Sequence, residues 1–171
     1  MFQKVIEYLK KRGWSYSSKA DDSLFISLTN DNGTYHCIIY IKEKTKILAV
    51  VSFLGTHCPP EKLDLILHLL NLANNNLLLG NFEINEAGDI KYRTSINLDY
   101  IELTEDIIED LIMRNIYNID IANPTFHKVM FGNMTSDSAF LEIFPTPKPE
   151  IKNIEDIEEI TDEESTSKDG V

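Results

Sequence analysis

Cysteine is scarce in this chain of 171 residues: Cys37 and Cys58 are its whole complement. Two thiols do not make a disulfide framework, so a packed core must hold the fold, and a reducing, cytoplasmic setting is expected. Basic residues are also few, 16 Lys and Arg against 28 Asp and Glu, a net charge of −12. A surface of that sign repels phosphate backbones and anionic headgroups, so neither nucleic acid nor a membrane is the expected partner. No apolar run approaches the ~20 residues of a transmembrane helix. The N-terminus shows no basic region followed by an apolar stretch and a small-residue cleavage site. Glycine is limited to seven positions, and none makes a phosphate-cradling loop: Gly80, Gly88 and Gly132 each have a local turn or cap to serve. No internal repeat is visible.

What is present is enough apolar residue, 43% of the chain, to build a core. The clearest local pattern is Gly80 to Asn97. Gly88, in Asn85-Glu86-Ala87-Gly88-Asp89, supplies the positive φ that a short hairpin loop needs. That turn pairs Ile84 with Ile90, Phe82 with Tyr92 and Glu83 with Lys91, so like meets like on each face. Phe82, Ile84, Ile90, Tyr92 and Ile96 form a dry face, whereas Asn81, Glu83, Lys91, Arg93 and Ser95 form a wet one.

Before the hairpin, Phe2, Val5, Ile6 and Leu9 recur at helical spacing, with Lys10, Lys11 and Arg12 at the negative end of the helix and Gly13 as its stop. Trp14 and Tyr16 anchor that helix to a sheet edge or stack on a ligand. Three strands follow as a meander, Leu24 to Thr29, Thr34 to Lys42 and Lys46 to Leu54. They are joined by Asn30-Asp31-Asn32-Gly33 and by Glu43-Lys44-Thr45. These strands are apolar on both faces: Tyr35, Cys37, Ile39 and Ile41 alternate with Ile38 and Tyr40, and Ile47, Ala49, Val51 and Phe53 alternate with Leu48, Val50 and Leu54. One helical layer cannot cover both faces, so a second layer of this chain or a partner must, a homodimer being the simplest case.

Pro60 opens the next helix, Glu61 to Asn74, with a buried stripe of Leu63, Ile66, Leu67, Leu70 and Ala73 widened by Leu65, Leu69 and Leu72. Thr104 caps a third helix from Glu105 to Asn118, with a Leu103–Ile108 staple and an inner face of Ile108, Leu111, Ile112 and Tyr117. Pro124 predicts a break around Asn118 to Asn123, then a fourth helix ending at Phe131 and Gly132. A last short turn through Ala139 to Phe144 is capped by Thr135 or Ser136. The expected architecture is α+β, a single twisted antiparallel five-stranded sheet in the order α-β-β-β-α-β-β-α with helices packed on it, over residues 1–144.

Residues 145–171 form an acidic segment led by Pro145, Pro147 and Pro149 and without an aromatic residue, for which disorder is expected. It holds nine acidic and three basic residues, against 19 and 13 in the body, so each part carries −6. Within it Ile151, Ile154, Ile157 and Ile160 recur every third residue, which on a helix makes a broad, ragged apolar face. This is either a solubilising tail or a peptide that folds on a partner or on its own domain.

Asn71, Asn74, Asn75 and Asn76, then Gly80-Asn81-Phe82-Glu83, the run Gly88 to Ser95, and Leu103-Thr104 together resemble the YbjN family. Asp120, Pro124 and Val129 to Gly132 extend the resemblance, over roughly residues 1–142. It implies a fold similar to type III secretion chaperones and a role as a regulator in sensory transduction, and names no reaction. Those chaperones pair, which adds to the case for a dimer.

The residues themselves assemble no catalytic set. His36-Cys37 and His57-Cys58 hold two imidazoles and two thiols, but neighbours on a strand point to opposite faces and the spacing is not that of zinc modules. No metal or cofactor is expected. Glu83 has Lys91 as its cross-strand partner, and the acids of Glu105 to Asp110 suit a helix start. The leading reading is a non-enzymatic protein- or peptide-binding module, chaperone-like or regulatory. Its contact residues are Phe25, Ile38, Tyr40, Leu48, Val50 and Arg93 on the sheet, with Ile151, Ile154, Ile157 and Ile160 in the tail. The alternatives are a small-molecule or metal-dependent enzyme using Cys58 and His57, with Arg93, and a structural subunit of a larger assembly.

Overall fold

The computed structural model describes residues 1–30 and 33–145. Helix α1 (Phe2–Lys11) leads into β1 (Tyr16–Ala20), β2 (Ser23–Asn30), β3 (Gly33–Lys42) and β4 (Ile47–His57). A single helical turn at Pro60–Lys62 opens α2 (Leu63–Asn76), and the hairpin of β5 (Asn81–Ile84) and β6 (Asp89–Asn97) follows. The described chain closes with α3 (Glu105–Phe131) and α4 (Ser136–Ile143).

The sheet is antiparallel, as expected, but has six strands in the order β1-β2-β3-β4-β6-β5. The added strand is β1. Its sequence, Tyr-Ser-Ser-Lys-Ala, has no apolar alternation beyond Tyr16; it is a strand because the free edge of β2 supplies its hydrogen-bonding partners, Tyr16 opposite Ile26 and Ser18 opposite Leu24. The hairpin has the register that its turn predicts, with Ile84 opposite Ile90, Phe82 opposite Tyr92 and Glu83 opposite Lys91.

One face of the sheet carries the core. Leu24, Ile26, Cys37, Ile39, Ile41, Leu48, Val50, Ile90 and Tyr92 pack there with Val5, Leu9, Ile66, Leu69, Ile112, Ile119 and Phe126 of the helices. Asn115, fully buried, ties α3 to the sheet: its Nδ2 donates to the Val50 carbonyl at 2.8 Å and to Thr94 Oγ1 at 3.1 Å. Thr94 donates in turn to the Leu111 carbonyl at 3.2 Å.

Three helical expectations are corrected. α3 runs unbroken for 27 residues through Pro124. The proline removes one backbone bond, at a cost of about 3 kcal/mol, but the buried stripe continues across it, from Ile116, Ile119 and Ala122 to Phe126, Val129 and Met130. Each large side chain buried there returns about 1.5–3 kcal/mol. Tyr117 does not join the inner face and is 63% exposed. In α2 the buried set is Ile66, Leu69, Leu70 and Ala73, while Leu63, Leu65 and Leu67 face outward. Thr104 caps α3 as expected, accepting from the Ile107 amide at 3.3 Å, and Thr135 caps α4.

Candidate partner-binding face

Strand alternation decides which residues share the second face of the sheet. The ladder places Ser17, Phe25, Ile38, Val51, Arg93 and Asn81 in one row across all six strands. The row beside it runs Ser27, His36, Phe53, Lys91 and Glu83, and the row on the other side Ser23, Tyr40, Ala49 and Ser95. Phe25, Ile38, Tyr40, Ile47, Ala49, Val51 and Phe53 all lie outside the core cluster and the side chains packed on it. Among the described residues, α1, α2, α3 and α4 gather on the opposite face, so this apolar strip has no second layer over it. Ala49 and Val51, in the middle of the strip, are buried, whereas Phe25, Ile38, Tyr40 and Phe53 are half-exposed.

The rim of the strip is polar and ordered. Phe25 stacks on His36 with centroids 5.6 Å apart and planes at 22°, and His36 Nδ1 shares a 2.9 Å hydrogen bond with Ser27 Oγ. Lys42 lies over the Tyr40 ring at 5.8 Å. At the β5–β6 end, Arg93 donates through Nε to Glu83 Oε1 at 2.7 Å and through Nη2 to Oε2 at 3.1 Å, while Lys91 Nζ stands 3.0 Å from Oε2. The Arg93 fork, with Lys91 and Asn81 behind it, holds the Glu83 carboxyl down to about 2 against the partial burial that opposes it. Arg93 is therefore a sheet-face ion-pair partner, and its guanidinium is engaged.

Phe25, Ile38, Tyr40 and Arg93 thus share one face. Leu48 and Val50 do not: they are 0% and 1% exposed and point to the helices. Their placement follows from the β3–β4 loop. Lys42 pairs with Ile47, which leaves four residues, Glu43 to Lys46, in the turn, with Lys46 in the left-handed region at φ 54°. Ile41 then faces Leu48, and Ile38 and Tyr40 share their side with Val51 and Ala49 instead. Ala49, Val51 and Phe53 share the face of Phe25, Ile38 and Tyr40. Ile151, Ile154, Ile157 and Ile160 lie outside the described residues, as do Asp31 and Asn32 of the predicted β2–β3 turn.

The thiols and imidazoles do not converge. Cys37 is buried against Ser52 Oγ at 3.0 Å, and burial pushes its thiol up to about 11. His36, on the opposite side of the strand, points out. Cys58 is 7% exposed and donates to the Pro59 carbonyl at 3.4 Å. Burial, then the nearby Glu61 charge, raises its pKa, the reverse of what a nucleophilic cysteine needs. His57 turns to Asp89, 2.8 Å from Nδ1 to Oδ1. Among the described residues no group of three or more His, Cys, Asp or Glu is placed to hold a metal ion, and no helix is long and apolar enough to cross a membrane.

The positions that carried the family resemblance hold the hairpin in place. Asn74, at the end of α2, accepts from the Phe82 amide at 2.8 Å and donates to the Phe82 carbonyl at 3.0 Å, closing the outer edge of β5. Gly80, at φ 75°, lies so close to the hairpin that a Cβ there would stand 2.7 Å from the Arg93 carbonyl and 2.4 Å from Tyr92 Oη. Tyr92 Oη donates to the Leu79 carbonyl at 2.5 Å.

A helical layer on one side of an antiparallel sheet, with an apolar strip on the other, defines an α+β scaffold. The chain belongs to the YbjN family, described as a putative bacterial sensory transduction regulator, whose model matches residues 2–121. The resemblance over residues 1–142 thus extends past the matched region, through the second half of α3 and into α4. The crystal structure of YbjN from E. coli, a putative transcription regulator, superposes with a TM-score of 0.53 at 11% identity, over 71% of this chain and 87% of that one. Looser likenesses are to a chain of the HopA1–SchA chaperone–effector complex (TM-score 0.48, 13% identity, 69% and 88% covered) and to one of the ExoU–SpcU heterodimer from the type III secretion system of Pseudomonas aeruginosa (0.47, 18%, 72% and 95%). At these identities the likeness is one of fold. Comparison with curated protein sequences returned no match.

Proposed function

We propose that this chain is a non-enzymatic binding module that holds a protein or peptide partner on the open face of its sheet. The observation that carries the reading is the strip of Phe25, Ile38, Tyr40, Ala49, Val51 and Phe53, which stands outside the core on a face that no described helix covers. Apolar patches of this kind, rimmed by polar groups, mark interaction surfaces. The half-exposed aromatics Phe25, Tyr40 and Phe53 are the anchors that such interfaces favour. The ordered ion pairs at the strip's end give the partner a fixed polar border and contribute register more than affinity. The unreactive setting of Cys58 and the separation of the imidazoles speak against the enzymatic alternative. The acidic surface favours a protein over a nucleic acid as partner, and two free thiols suit a reducing, cytoplasmic setting.

The test is capture from source cells with the full-length chain, beside Ile38→Asp, Phe25→Ser and Cys58→Ser. A stoichiometric partner held by the unaltered chain and by Cys58→Ser, but lost by the two strip variants at unchanged helical content, is the expected result. Equal capture by all four, or no partner above background with the unaltered chain, overturns the reading. Light scattering on the purified chain shows whether a second copy is that partner.

A further inference from the structure

The sheet face is not the only apolar surface left open. At the junction of α2 with β5, three consecutive leucines, Leu77, Leu78 and Leu79, face Met113 and Tyr117 of α3 across a groove of about 610 Å³. Leu78 is 98% exposed, Tyr117 63%, Leu79 59% and Met113 44%. The position of α4 shows what the groove continues. α2 and α3 lie side by side and run in opposite directions: Lys62 Nζ reaches the Gly132 carbonyl at 2.9 Å at one end, and Leu77 to Leu79 meet Met113 to Asn118 at the other. α4 packs on both helices at the first end, with Ser136 Oγ donating to the Leu65 carbonyl at 2.7 Å. It folds back antiparallel on α3, so that Glu142 Oε1 accepts from Thr125 Oγ1 at 2.8 Å and lies 2.6 Å from Lys128 Nζ. Asp110, Arg114, Tyr117, Ile121, Thr125 and Lys128 succeed one another at three- and four-residue spacing, and therefore share one face of α3. α4 covers the later part of that face; the groove is the uncovered part ahead of it.

We propose that the C-terminal segment of this same chain occupies the groove, laying Ile151, Ile154 and Ile157 over Leu78, Leu79, Met113 and Tyr117. The described chain ends pointing that way: α4 runs antiparallel to α3, and its C-terminal end, where Glu142 meets Thr125, is directed along α3 toward Ile121, Tyr117 and Met113. Length permits it. The seven residues from Phe144 to Ile151 span up to about 23 Å at ~3.3 Å per extended residue. From the stretch of α3 beside Glu142 to Asn118 is about 10 Å at 1.5 Å per helical residue. Chemistry permits it as well. The groove wall offers leucine, methionine and a tyrosine ring to the isoleucines, and its one cation, Arg114, is already paired with Asp110 at 2.7 Å. This inference concerns a surface away from the sheet face and stands or falls separately from the partner reading.

The experiment uses the full chain with a nitroxide spin label on Asn153→Cys, Cys37 and Cys58 being buried, and reads the side-chain methyl signals. Loss of the Leu78, Leu79 and Met113 signals is expected. They should return in the chain that also carries Ile154→Asp and Ile157→Asp, substitutions outside the folded core. Mixing spin-labelled chain with an isotope-labelled chain that bears no spin label should leave the signals intact, because the contact is within one molecule. The proposal is overturned if no methyl signal is lost, if Ile38 and Val51 are lost instead, or if the loss appears in the mixed sample, which would make the occupant a second copy.

Discussion

Glu83 and Arg93 form a two-pronged ion pair across the β5–β6 ladder, at 2.7 and 3.1 Å, on the border of the open strip. The pair is pH-sensitive in a defined direction. Glu83 has a depressed pKa in the folded chain, about 2, against an ordinary value of 4.5. Its contribution is therefore complete above the ordinary value and is lost as pH falls toward the folded one. Allowing for solvent screening, that contribution is about 1–2 kcal/mol. Glu83→Gln should lower stability by this amount at pH 7. The gap between variant and unaltered chain should close between pH 5 and pH 2, followed by denaturant titration at each pH.

Asn74 should matter more than an exposed helix-end asparagine ordinarily does. Its amide makes both hydrogen bonds to the Phe82 backbone, so Asn74→Ala should cost about 1–3 kcal/mol and speed hydrogen exchange at the Phe82 amide. Gly80→Ala should also destabilise the same edge, by at least ~1 kcal/mol, since it places a Cβ against the Arg93 carbonyl at a positive φ.

The two cysteines should be poor nucleophiles in the native chain. Burial raises the pKa of both, so less thiolate is present at any working pH. Titration with a thiol reagent at pH 8 should run at least ~10-fold slower on folded than on denatured protein. An immediate reaction of one thiol in the folded chain would reinstate Cys58 as a chemical group.

Much of this arrangement was legible in the sequence. The hairpin register, the Thr104 cap and the presence of two apolar sheet faces follow from turn chemistry and alternation, which are local. What was illegible depended on non-local pairing. Reading the β3–β4 loop as three residues, Glu43 to Thr45, puts Leu48 and Val50 on the side of Ile38 and Tyr40; the four-residue loop turns both inward. A one-residue slip reverses every side chain of a strand, and in β4 both choices are apolar, so composition offered no check. β1 had no pattern to find, because its strand form comes from the edge it pairs with. Pro124 was given its usual weight as a breaker, which the packing of Phe126, Val129 and Met130 exceeds.

That parity is itself testable. Leu48→Asp buries a carboxylate in the core and should cost several kcal/mol or prevent folding. Ile38→Asp, on the open face, should cost only about 1 kcal/mol. Thermal unfolding of the two variants side by side would show similar, modest losses if the register were shifted by one residue, because Leu48 would then share the open face with Ile38.

The most direct measurement of the central claim is site-specific photo-crosslinking in the source cells. A photoreactive phenylalanine would replace Tyr40 on the strip in one full-length chain and Leu67 on the outer side of α2 in another. The open-face account predicts a discrete crosslinked partner from position 40 and none from position 67. A partner trapped from position 67 alone would move the binding surface to the helical side and contradict the account.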